Sequence, residues 1–332
     1  MKLINIENQS GLPKYKQIVL SIEIAIAENR LKKGDKLPSI NKVSLEFSLS
    51  RDTVLLAYEE LKKRGIIFAI LGKGYYVKSV EFSFEQRIFL LFDELNAFKE
   101  NIYNSFLERM DNKAQIDIFF HHFNIEMFKK LINESNGNYS KYIVMPTNLD
   151  GATTIIKTLP KQDVFILDQT NMELKEYPSV YQNFIKDIYD ALLEGKPLID
   201  KYRKLILIFP GFREPLGMKI GFEKFCNNFS FDFEIITQFT EREIQNGDVY
   251  IIPNDIDLVQ VIEKSKEQKF ILGEDFGIVS YNETPLKKVV ANGITTISTD
   301  FTKMGTSLAN MILENRKEQI ENECSLIIRN SL

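Results

Sequence analysis

The stretch PSINKVSLEFSLSRDTVLLAYEELKK, residues 38–63, decides how the first part of the chain folds. Ser39 follows a proline and precedes a run with Val43 and Phe47 facing inward, so it reads as the N-cap of a short helix. Ser48-Leu49 interrupts that run, and Ser50 supplies a second N-cap. From Arg51 to Lys63, Val54, Ala57, Tyr58 and Leu61 recur at helical spacing and line one side. Two short helices joined by so tight a turn form a helix-turn-helix, and the second helix of that motif enters a DNA major groove.

Upstream, Ile18, Ile22 and Ile26 follow Pro13 and predict a first helix, with the basic run Arg30-Leu31-Lys32-Lys33 at its C-terminal end before Gly34. Downstream, β-rich runs at 66–71 and 75–77 flank Gly72-Lys73-Gly74 and predict a hairpin with a lysine at its tip. A hairpin in that place is a wing. The charge is divided in the same sense. Residues 1–80 hold 14 Lys and Arg against 8 Asp and Glu, whereas the remainder holds 28 against 38. A basic module on an acidic body suits contact with a polyanion.

Five segments of this region, PKYKQI (13–18), GDKLPS (34–39), SRDTV (50–54), AYEEL (57–61) and GKGYYV (72–77), resemble the GntR-family winged helix in order and spacing. The resemblance implies DNA contacts from Ser39, Arg51, Thr53, Lys73 and Gly74. Arg51, in the first turn of the second helix of the motif, carries a fork of donors that suits guanine O6 and N7. Ser39 and Ser50, at helix N-termini, can combine capping with contact to phosphate oxygens. Asn41 stands where the family commonly has an arginine; it is the candidate DNA contact at that position, and the base preference of that helix stays open.

Beyond residue 86 the pattern changes. Compact apolar runs at 88–92, 116–120, 142–145 and 164–167 form one series, and runs at 205–209, 233–236, 249–252 and 277–280 form a second. Such runs suit buried parallel strands, with amphipathic stretches such as 98–110, 181–193 and 258–266 as helices between them. The expected fold is α/β: an N-terminal winged helix-turn-helix plus a two-lobed domain with parallel sheets and a cleft between the lobes. The expected boundaries are 1–78 for the first domain, 79–86 for a linker and 87–332 for the second domain.

The second region resembles the effector domain of LacI-type repressors, which share the type I periplasmic sugar-binding fold. The motifs are LLFD (90–93) with NAF (96–98), ILD (166–168), IPND (252–255), and GEDFGIVSYNE (273–283) continuing to Thr295-Thr296-Ile297 and Met304-Gly305. The resemblance implies a small sugar or sugar derivative held by Asp168, Asn254, Asp255 and Asn282, with Phe98 as a stacking wall. Carboxylates and amides suit a polyol, because each can serve two neighbouring hydroxyls. Strand C-terminal ends are where α/β sheets bind ligands. Capping is an equal alternative for Asp255, and a turn role for Asn254. Asp168, ending an apolar strand, needs a polar partner in any case. The family places an arginine shortly before the Gly-Phe that is here Gly221-Phe222. Those positions are Leu216 and Met218, so Arg213 is the candidate in its place, with an ordinary surface arginine after a strand as the commoner alternative.

These residues lead to the expectation of a non-enzymatic transcription regulator, a repressor of carbohydrate-utilisation genes. It would work as a homodimer on operator DNA with a small sugar effector, without cofactor or metal. The alternative is a winged-helix regulator carrying an aminotransferase-like, pyridoxal phosphate domain, and the βα rhythm without that domain's lysine motif disfavours it. No P-loop, nucleophile-elbow serine or dinucleotide fingerprint occurs. Cys226 and Cys324 have no metal-type spacing, and a strand would point the adjacent His121 and His122 to opposite faces. No run approaches ~18 apolar residues and residues 1–8 hold no apolar core, so a cytoplasmic location without membrane contact is expected.

Overall fold

The computed structural model describes residues 3–6, 12–80, 86–111, 113–240 and 242–332. In the first unit, helix α1 (Lys14–Ala27) packs behind α2 (Ile40–Phe47) and α3 (Arg51–Lys63), followed by the antiparallel hairpin β1 (Ile67–Ile70) and β2 (Gly74–Val77). Both expected N-caps form: the Ser39 hydroxyl accepts from the Lys42 amide at 3.2 Å, and that of Ser50 from the Thr53 amide at 3.1 Å. Ile18, Ile22, Val54, Ala57, Tyr58 and Leu61 are completely buried together. The Tyr58 hydroxyl donates to the Pro38 carbonyl at 2.7 Å and so pins α3 to the entry of α2. The strand-like segment ahead of α2 joins the hairpin, with the Leu37 amide donating to the Tyr75 carbonyl at 2.9 Å.

One local expectation is corrected. Helix α1 stops at Ala27, ahead of the basic run, because Asn29 takes a left-handed conformation (φ 57°). The amides of Arg30 and Leu31 then both return to the Ala25 carbonyl, which turns Leu31 into the core. Of the expected linker at 79–86, residues 81–85 lie outside the described residues.

The second unit has two lobes. Lobe 1 begins with β3 (Gln86–Phe92), α4 (Ala97–Met110), β4 (Ala114–Phe120), α5 (Ile125–Ser135), β5 (Lys141–Val144), α6 (Ala152–Ile156), β6 (Val164–Asp168) and β7 (Ser179–Tyr181). The chain crosses at 182–183 into lobe 2. There it forms α7 (Phe184–Ile199), β8 (Lys204–Ile208), α8 (Leu216–Phe229), β9 (Asp232–Ile236), β10 (Asp248–Ile252), α9 (Asp255–Gln268), β11 (Gly277–Tyr281) and β12 (Thr295–Thr299). It returns through Asp300 to give lobe 1 α10 (Phe301–Leu313) and β13 (Gln319–Glu321), and crosses once more at 322–323 to β14 (Cys324–Ile327). The sheet orders are β13-β7-β6-β5-β3-β4 and β14-β12-β11-β10-β8-β9.

All eight apolar runs are strands, and each sheet holds two further ones. The extra strands are short or polar. In β12, Thr295 and Thr296 are fully buried because their hydroxyls have partners, the Arg329 carbonyl and the Glu283 carboxylate. Strand β14 runs antiparallel to β12, a departure from the expected all-parallel pattern. The stretch expected as helix from 181 begins instead at Phe184, since Tyr181 ends β7.

Two motif glycines are packing contacts. A Cβ on Gly221 of α8 would lie 2.3 Å from the Ile185 carbonyl oxygen of α7, and one on Gly305 of α10 equally close to the Ile102 oxygen of α4. Gly221→Ala is therefore expected to lower stability by about 2 kcal/mol in urea unfolding, since the helices must separate to admit a methyl group.

Candidate functional site

On the first unit, the cap at Ser50 places Arg51 at the N-terminus of α3, exposed and with no hydrogen bond or ion pair among the described residues. Asn41 is exposed at the second position of α2. Lys73 is exposed at the hairpin tip, in a turn closed by its amide on the Ile70 carbonyl at 2.9 Å. Gly72 and Gly74 shape that turn with φ of 73° and 106°, a region that disfavours side chains. Thr53 is already engaged, its hydroxyl lying 2.7 Å from that of Ser50. Lys36 and Lys42 are two further exposed cations on this unit that sequence reasoning missed. Lys36 lies on the segment bridged to Tyr76, which nothing in a local pattern reveals.

Between the lobes, Asp168 ends β6 in a left-handed conformation (φ 72°) and is 3% exposed. One of its oxygens takes the Lys99 ammonium at 3.2 Å and the other takes the Gln182 amide. Lys99 also lies 3.6 Å from Asp93. Burial opposes the charge on Lys99, but Asp168 and Asp93 together outweigh it and hold the lysine above its ordinary value. Burial raises the Asp93 carboxyl. The chain of contacts continues at the crossings, where the Thr299 hydroxyl donates to the Gln182 side-chain carbonyl. Lys99 carries a readable signal. A lysine in the first turn of a helix opposes the helix dipole, which points to a carboxylate partner. Gln182 offers no comparable signal.

The other expected ligands are dispersed. Phe98 stacks on Phe301 with ring centroids 5.2 Å apart. Asn254 caps α9, accepting from the Asp257 amide at 2.9 Å. Asp255 pairs at 3.1 Å with buried Lys287, whose ammonium also donates to the carbonyls of Tyr281 and Asn282. Asn282 is left-handed (φ 61°), and its side-chain oxygen is buried without a partner. His121 is fully buried at the end of β4, and burial lowers it to about 4, so it is neutral at physiological pH. Burial raises both cysteine thiols to about 12.

A cavity of about 480 Å³ opens between the lobes. Its lobe 1 wall includes Asn148, Asp150, Gln169 and Thr170, and its lobe 2 wall includes Phe209 and Glu214. None of the six expected ligand residues lines it, although Gln169 follows Asp168 and Glu214 follows Arg213 directly. The Thr170 hydroxyl is buried there without a partner. Arg213 crosses the cleft, donating to Glu94 at 2.9 Å and lying over the Phe123 ring, while the Asn148 amide reaches the Glu214 carbonyl at 3.1 Å. Among the described residues, no helix is long and apolar enough to cross a membrane.

Residues 14–77 match the family model described as bacterial regulatory proteins, gntR family, and residues 240–332 match that of a periplasmic binding protein-like domain. The mannosyl-D-glycerate transport/metabolism system repressor of Escherichia coli is 34% identical over 107 residues, 32% of this chain and 41% of that protein. The arabinose metabolism transcriptional repressor of Geobacillus stearothermophilus is 38% identical over 69 residues, 21% of this chain and 19% of that protein. The chain spans 28%, 58% and 15% of the length of three other curated relatives it matches. In structure, a LacI family transcriptional regulator from Silicibacter pomeroyi superposes with a TM-score of 0.61 at 13% identity, covering 74% of this chain and 98% of that one. At that identity the likeness shows the fold. The aminotransferase-like alternative finds no support in these comparisons, and the two-lobed architecture replaces it. The chain thus joins a gntR-family helix-turn-helix domain to a periplasmic-binding-protein-like domain with the fold of LacI family regulators.

Proposed function

We propose that this protein is a transcription regulator, a repressor of carbohydrate-utilisation genes, whose operator affinity is set by a small sugar or sugar derivative held between the lobes. The observation that carries this reading is the pairing of an Arg51 unpartnered among the described residues, on a capped α3, with a polar cavity bridged across two lobes. A cavity of that volume suits a small ligand, and its amide, carboxylate and hydroxyl lining suits a polyol. Of the expected ligand residues, Asn282 keeps a free buried acceptor, whereas Asp168, Asn254 and Asp255 already serve partners. Thermal unfolding across a monosaccharide panel tests the reading. A ligand at 100 times its dissociation constant adds about 2.7 kcal/mol of stability, and a panel in which no sugar shifts the transition counts against a sugar effector.

A single recognition helix covers only a few base pairs, so the reading requires a homodimer on paired half-sites. Ile256 and Val259 of α9, with Leu286 and Val289 after β11, are 51–73% exposed apolar side chains on segments tied together by the Asp255–Lys287 ion pair. Such a patch suits a self-complementary interface. Replacing Ile256 and Leu286 together by Asp is expected to convert a dimer to a monomer in sedimentation, and to weaken operator binding at least tenfold. A monomeric wild type, free and on DNA, contradicts the dimer.

A further inference from the structure

At the hinge a second cavity of about 200 Å³ lies between the start of α7 and the segment that joins β13 to β14. Carboxylates dominate its wall: Asp187, Asp190 and Glu194 from α7, Glu321 at the end of β13 and Glu323 from the crossing segment. Lys186 is the one cation lining it among the described residues, and it is committed to Glu321 at 3.0 Å and to Asp190 at 3.7 Å. Two lining side chains each carry one deeply buried acceptor oxygen without a donor among the described residues. Asp187 is 6% exposed with Oδ2 unpartnered, and Asn322 is 5% exposed with Oδ1 unpartnered. The Asn322 amide nitrogen donates to the Asp300 carbonyl at 2.9 Å, which fixes the orientation of the side chain and leaves its oxygen as the acceptor. Two orphaned acceptors in one acidic pocket are costly unless a donor enters.

We propose that this hinge cavity takes the ammonium group of a small organic amine, and that the amine acts as a second effector distinct from the occupant of the inter-lobe cleft. An ammonium brings three donors and the charge the pocket lacks. The volume suits a short alkyl amine, and among the described residues no group of three or more His, Cys, Asp or Glu is arranged to hold a metal ion. The position supplies the regulation. Helix α7 follows the first crossing and Asn322-Glu323 form the third, so an amine between them ties together two of the strands about which the lobes turn.

A proton is the rival occupant. Burial, and then Glu321, push the Asp187 carboxyl up to about 7. The groups facing it are Lys186 and Asp190 on its own helix, Glu321 at the end of β13, Cys324 on β14 and Tyr281 on β11. Below pH 7 the proton competes with the amine, so amine affinity rises with pH through that value. Calorimetric titration of the full chain with 1,4-diaminobutane, with 1,4-butanediol as the neutral control, contains neither DNA nor sugar. Its outcome is therefore separate from that of the regulatory reading. Saturable binding at pH 8 is expected, with none for the diol and roughly tenfold weaker binding at pH 6. Asp187→Asn and Asn322→Leu should each weaken it at least tenfold. The pH series on unaltered protein decides the matter even where a variant does not fold. Absence of saturable diamine binding, equal binding of the diol, or an affinity indifferent to pH overturns the proposal.

Discussion

Asp168→Ala is expected to cost about 3–5 kcal/mol of stability, because it removes one partner of a buried ion pair and strands the other. Lys99 is 6% exposed and would keep only the more distant Asp93. The Gln182 amide would lose its acceptor at the same moment, and Gln182 is the residue that receives the Thr299 hydroxyl beside the crossings. The substitution should therefore also abolish the response of DNA binding to sugar. Ligand-free operator binding should persist, since Asp168 lies outside residues 14–77. The triple variant Asp93→Asn, Lys99→Met, Asp168→Leu should be less destabilised than Asp168→Ala, since no uncompensated buried charge remains. Urea unfolding measures the first effect and operator titration with and without sugar the second. An Asp168→Ala protein within 1 kcal/mol of wild type that responds normally would show that this network neither stabilises lobe 1 nor supports the switch.

Arg51→Ala is expected to weaken operator binding by about 1–3 kcal/mol, or roughly 5- to 150-fold, and to relax preference at one base pair. The reason is geometric: Arg51 opens α3, is exposed, and spends none of its donors within the described residues. Lys73→Ala should act differently, weakening all sequences alike and flattening the salt dependence, as expected if its point charge at the wing tip is placed against phosphates. Binding across a set of single-base operator variants at two salt concentrations separates the two behaviours. Identical profiles for both variants would refute the division between base reading and charge.

The winged helix was legible residue by residue because its signals are local. Caps at Ser39 and Ser50, the apolar face of α3 and the glycine-flanked tip all lie within a few positions of what they determine. The eight central strands were legible for a different reason: strands buried on both faces must be continuously apolar. Strand β12 escaped because threonine hydroxyls satisfied by distant partners can be buried like valines. The cleft was least legible. Asp168, a carboxylate ending an apolar strand, needs a partner, but that partner, Lys99, lies 69 residues away, and only the fold joins them. The sequence leaves Asn254 open between ligand and turn residue, and in the structure its side chain caps α9. The cavity itself is lined by the neighbours of the expected residues, because the turns after β5 and β6, more than the strand ends, form its lobe 1 wall.

The proposed regulation rests on coupling between the inter-lobe cleft and the winged helix. Its most direct test is fluorescence anisotropy of the full chain on DNA selected from a randomised library, with and without the sugar that gives the largest thermal shift. A roughly 5- to 150-fold change in operator affinity is expected, matching a coupling of about 1–3 kcal/mol, and by reciprocity the same factor in sugar affinity when DNA is bound. An operator affinity unchanged at saturating sugar would contradict it.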